Sequence, residues 1–87
     1  MKYSMSEDGN AYGGKFEVKR TEKSIIVTMV EKPFFMLGDS ETAFKKGKGK
    51  VRLKRDNKCV HCFRDYDDIF VVYFYRSGTP CIFKEML

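Results

Sequence analysis

Lys46-Gly47-Lys48-Gly49-Lys50-Val51-Arg52-Leu53-Lys54 places a basic residue at every second position. A β-strand sends alternate side chains to opposite faces, so this spacing predicts five cations along one face of a ribbon while Val51 and Leu53 turn into a core. A helix would scatter the same charges around its circumference. With Lys45 and Arg55, residues 45–55 carry seven of the chain's 17 basic residues and no acid. The remaining ten bases face 12 acids, so the formal net charge of +5 originates in this one segment. A focused positive field of this kind attracts polyanions: nucleic acid, an anionic membrane or an acidic protein.

Downstream, Asp56-Asn57 is expected as a two-residue turn that pairs the basic strand with residues 58–64 as an antiparallel hairpin. In that register Lys54 faces Cys59, Arg52 faces His61 and Lys50 faces Phe63, so a ring and an imidazole stand among the cations. The other side is apolar: Val51, Leu53, Val60 and Cys62. Cations for phosphates with flat side chains for bases suit single-stranded nucleic acid, RNA included. The expected contacts are Lys46, Lys48, Lys50, Arg52, Lys54 and Arg55 to phosphates, with His61 and Phe63 to bases. A lysine-bearing strand edge also has a plainer role, since such charges prevent edge-to-edge aggregation.

Upstream, residues 15–20 alternate, with Phe16 and Val18 inward, and the polar Thr21, Glu22 and Lys23 turn the chain into residues 24–31. That second strand is apolar on both faces and is expected at the centre of a sheet or covered on both sides. Pro33 ends it. Phe34, Phe35, Met36 and Leu37 then form a four-residue apolar run, read either as buried structure or as an anchor on a protein partner. Asp39 or Ser40 can cap a short helix near residues 40–46, with Glu41 in its first turn, Lys45 and Lys46 in its last and Gly47 available for a left-handed end. Residues 69–75 form the strongest strand, and residues 76–79 turn it back into 81–86.

The expected architecture is therefore mainly β with some α: a small antiparallel barrel or roll of five to six strands and one short helix. The glycine-bearing residues 1–14 are expected as a flexible arm or loose strand, and residues 15–87 as a single domain. Core candidates are Phe16, Val18, Ile25, Val27, Met29, Val51, Leu53, Val60, Phe70, Val72, Phe74, Cys81 and Phe83.

Other constellations are weaker. Cys59 and Cys62 on a strand project to opposite faces and lack a second ligand pair, so buried thiols are expected in place of a metal site. His61, the single histidine, has no second acid or base at a defined spacing, so no catalytic residue is assigned and no enzyme or cofactor is called for. Asp65, Asp67 and Asp68 fit a turn better than a cation site. Three cysteines and the absence of a signal-like apolar stretch point to the cytoplasm, without membrane association. The expected function is a non-catalytic nucleic-acid-binding domain. The alternative is a protein-interaction module or small inhibitor that docks its basic ribbon and the Phe34 to Leu37 patch on an acidic protein, such as a nucleic-acid enzyme.

Overall fold

The computed structural model of the chain describes residues 2–7, 9–36, 38–55, 61–74 and 80–86. Seven strands form a closed barrel: β1 (Lys2–Glu7), β2 (Asn10–Arg20), β3 (Ser24–Glu31), β4 (Lys50–Arg55), β5 (Cys62–Asp65), β6 (Ile69–Tyr73) and β7 (Pro80–Glu85). Helix α1 (Gly38–Lys46) connects β3 to β4. The expected class is correct, with one or two strands more than anticipated.

The additional strand comes from the first residues of the chain. Residues 1–14, expected as an arm or loose strand, supply β1 and the start of β2, and β1 closes the barrel against β7. Tyr3, Met5 and Glu7 alternate inward there and are buried. Scattered Tyr and Met among polar residues conceal a strand because every second position faces water. β2 is long and bends, with register shifts against both neighbours. Gly14 permits one of them: its φ is +74°, and a Cβ there would lie 2.9 Å from the Glu31 carbonyl oxygen and from the Pro33 nitrogen.

Each strand neighbours its sequence successor, and the ring closes through β7 and β1. Alternating directions close a ring only when the strand count is even, so seven strands force one parallel junction. It falls between β4 and β5, where, among the described residues, Lys54 pairs with Cys62 and Arg55 with Phe63. Every other junction is antiparallel and pairs four to six residues. The expected hairpin between residues 50–55 and 58–64 is thus incorrect. The antiparallel partner of β4 is β3, in the register Ser24 to Lys54, Ile26 to Arg52 and Thr28 to Lys50. The Asp56-Asn57 turn and Val60 lie outside the described residues.

Inside the barrel the rings meet in sequence. Tyr3 packs edge-on against Phe70 at 4.9 Å, Phe70 stacks on Phe83 at 5.0 Å, and Phe83 meets Phe16 at 5.0 Å. Phe16 then meets Phe44 of α1 at 5.6 Å, and Phe44 meets Phe74 at 6.0 Å. This aromatic column runs from one barrel mouth to the helix that covers the other. Of the core candidates, Val18 and Met29 are only partly buried, while Tyr3, Met5, Tyr12, Phe44 and Phe63 join the core unanticipated and Met36 joins it as the buried reading of its apolar run requires.

The helix-covered end also holds a buried polar contact, in which the Ser40 hydroxyl donates to the Glu7 carboxylate at 3.1 Å. Among the described residues no helix is long and apolar enough to cross a membrane.

Candidate nucleic-acid interface

The basic segment divides between three environments. Lys46 is the last residue of α1, where its charge complements the helix dipole. Lys48 sits in the following turn at φ 54°. Only Lys50, Arg52 and Lys54 stand on the outer face of β4, with Val51 and Leu53 buried behind them. The stripe of five is thus three strand cations preceded by a helix end and a turn. Gly47 and Gly49 have no side chain to anchor a strand to the core, so the backbone there closes the helix: Gly47 N–H donates to the Ala43 carbonyl at 3.1 Å, and Gly49 N–H to that of Phe44 at 2.8 Å. Gly47 is needed for close approach and not for a left-handed end, because a Cβ would overlap the Lys50 carbonyl oxygen.

Arg55 behaves differently from Lys54 beside it. It shares the inward phase of Val51 and Leu53, but at the barrel mouth, where its Nη1 donates to Asp65 Oδ2 at 2.6 Å and its guanidinium lies 4.8 Å from the centre of the Phe63 ring. Arg20 reaches the same carboxylate from β2 at 2.8 and 3.1 Å. Burial pushes the Asp65 carboxyl up, but the hydrogen bonds and charges of the two arginines outweigh it and hold the group below the ordinary value of 3.8. The bond to Asp65, opposed by burial and aided by the Tyr3 hydroxyl, raises Arg20. Arg55 is therefore paired with Asp65 at the barrel mouth, its side chain still about half exposed on the groove.

Phe63 is a correction to the expected site. Expected among the cations, it is 1% exposed in the core. The parallel junction sets Phe63 beside Arg55 in place of Lys50, and the changed register carries its ring inward. His61 remains exposed at φ 62°, its amide donating to the Tyr73 carbonyl at 2.6 Å and its carbonyl accepting from Lys54 N–H at 3.1 Å. Its ring lies 5.9 Å from Phe74, and because β4 and β5 run parallel the expected pairing of Arg52 with His61 does not form.

Register brings in cations that lie distant in sequence. Lys19 of β2 pairs with Ile26, which pairs with Arg52, so one partly buried aliphatic side chain stands between two charges on the outer face. At the β2–β3 turn, Lys23 joins Glu22, Ser24, Arg52, Lys54 and Arg55 around an open groove of about 530 Å³. Among the described residues, no carboxylate forms a salt bridge with Lys19, Lys23, Lys50, Arg52 or Lys54. The alternation in residues 15–20 exposes Lys19 in the sequence, but its proximity to Arg52 depends on sheet order.

The apolar run also divides. Phe34 is 82% and Phe35 47% exposed, both held edge-on against Tyr12 at 5.7 and 5.0 Å. Met36 turns inward and is buried, which removes it from the expected contact patch. Leu37 lies outside the described residues. Cys62 and Cys81 are buried, while Cys59 lies outside the described residues. Burial pushes the Cys81 thiol well up, and the nearby Glu7 charge adds to the shift. Asp65 serves the arginines, and the Tyr66 N–H donates to the Ile69 carbonyl at 2.9 Å, so this acidic stretch forms a turn.

Comparison of the chain with protein-family models, with curated proteins and with solved structures gives no match in any of the three.

Proposed function

We propose that the chain is a nucleic-acid-binding module whose outer β2–β4 face follows the phosphate backbone. The observation that carries the reading is the column of Lys50, Arg52 and Lys54, exposed on one strand face, widened by Lys19 and Lys23, and free of salt bridges to carboxylates among the described residues. Two residues along a strand advance about 6.7 Å, an interval suited to successive charges on an extended polyanion. Arg52 adds the one planar fork of the column, able to grip a phosphate through two parallel bonds. Long lysines on either side act as adaptable point charges, so the face tolerates many sequences.

Fluorescence anisotropy with labelled oligonucleotides at several salt concentrations tests this. Five phosphate contacts predict a logarithmic salt slope of about −4. The variant Lys50→Glu/Arg52→Glu/Lys54→Glu is expected to abolish binding without changing the melting temperature appreciably, since none of the three is buried. No association of the wild type with any oligonucleotide in about 20 mM salt, where phosphate contacts are strongest, would overturn the proposal.

A further inference from the structure

The two ends of the β4 column differ in chemistry. At the Arg55 end lies the cationic groove. At the Lys50 end lies a pocket of about 210 Å³ whose walls are Met29, Met36, Phe44 and Gly49, with Lys32, Lys45 and Glu41 at its rim. Lys32 and Met36 flank the exposed Phe34 and Phe35 in sequence, while Lys45 and Gly49 adjoin Lys46, Lys48 and Lys50. The pocket is thus lined by residues that adjoin, along the chain, both the solvent-facing rings and the start of the cation column.

We infer that Phe34 and Phe35 are a base-stacking platform for single-stranded nucleic acid, continuous through this pocket with the phosphate track on β4. This rests on the phosphate-binding reading above and adds the base contact that the buried Phe63 leaves unfilled. Three observations select this occupant. The rings are aromatic and exposed, and edge contact with Tyr12 at interplanar angles of 88° and 65° steadies them without enclosing them. The Phe34 N–H donates to the Tyr12 carbonyl at 3.2 Å, so the segment that presents the rings is fastened to β2 and loses little freedom on binding. The surrounding charge is positive: among the described residues Lys32, Lys46 and Lys48 form no salt bridge, and Glu41 is already paired with Lys45 at 3.6 Å. A duplex hides its base faces, whereas a single strand offers them, so the platform discriminates between the two.

The test titrates the intact chain with three labelled probes of equal length: an oligothymidylate, an abasic strand with the same phosphates, and a duplex. The oligothymidylate is expected to bind best, and Phe34→Ala to weaken it about 5- to 100-fold while leaving the abasic strand, the duplex and the salt slope unchanged. Phe35→Ala is expected to act in the same direction. Phe34 is so exposed that its truncation leaves folding intact, which a melting curve checks. Equal affinity for the oligothymidylate and the abasic strand, or indifference of the oligothymidylate to Phe34→Ala, overturns the platform while leaving phosphate binding in place; the rings would then belong to a protein contact. Failure of all three probes at low salt overturns the phosphate reading itself.

Discussion

Lys54 and Arg55 are neighbours of like charge with opposite surroundings. Lys54 stands outside the barrel in a column of cations that no described carboxylate answers. Arg55, one residue on, lies in the inward phase and shares Asp65 with Arg20. A guanidinium at a barrel mouth can cover the core ring below it and keep its charge paired, so it serves closure. Lys54, on the outer face, has no such task and forms no salt bridge among the described residues. Strand phase, more than residue type, separates structural cations from available ones.

Phe63 and Phe34 extend the contrast to aromatics, and substituting them gives the largest expected effect. Phe63→Ala is expected to destabilise the fold by about 3–5 kcal/mol, a large share of the stability of a domain this size, whereas Phe34→Ala should cost under about 0.5 kcal/mol. Parallel urea titrations measure both. Equal losses would abolish the distinction between core ring and platform ring.

Next in size is the outer column. Neutralising Lys50, Arg52 and Lys54 to Gln is expected to reduce the logarithmic salt slope by about 2–3 units with an unchanged melting temperature. Lys19→Gln alone should remove about one unit, a result that tests whether the β2–β3–β4 register gathers the face as described.

The inward cations should respond in stability instead. Asp65→Asn leaves Arg20 and Arg55 without their shared carboxylate and is expected to cost about 1 kcal/mol, a modest sum because both guanidinium groups are close to half exposed. The pH dependence follows from the sign of the shift. Asp65 is lowered on folding, so its contribution is complete above the ordinary 3.8 and is lost as pH falls through the folded value. The gap between wild type and Asp65→Asn should therefore narrow below pH 3.8, as thermal melts along an acid series would record. A gap that stays constant through that range would remove the mouth cluster from the account of stability.

Much of this was legible along the chain. Alternation in residues 15–20 marks β2 and the apolar run of residues 24–31 marks β3, although β3 is not covered on both sides and leaves Val30 exposed, and the Thr21 to Ser24 turn between them forms as its polar residues suggest, with the Thr21 N–H bonded to the Ser24 carbonyl at 2.8 Å. The short helix near residues 40–46 forms as Gly38–Lys46, its acids and bases placed as the dipole favours. The exposure of Lys50, Arg52 and Lys54 follows from the same period-two pattern. β1 was obscured because only two of its three inward residues are apolar, with serines between them, and the extension of the cation stripe through Gly47 and Gly49 failed because spacing alone does not reveal where a helix ends.

What the sequence determined by itself is local: the β-rich class, the one short helix, the concentration of charge and which residues of each strand share a phase. Only the tertiary structure decided which strands are neighbours. A seven-membered ring must contain a parallel junction, and closing it at β4 and β5 turned Phe63 inward, while the β2–β3–β4 order brought Lys19 and Lys23 to the basic face and the contact with Tyr12 left Phe34 and Phe35 outside. Side-chain alternation is a property of consecutive residues, whereas strand adjacency is set by closure of the whole barrel, which no single segment encodes.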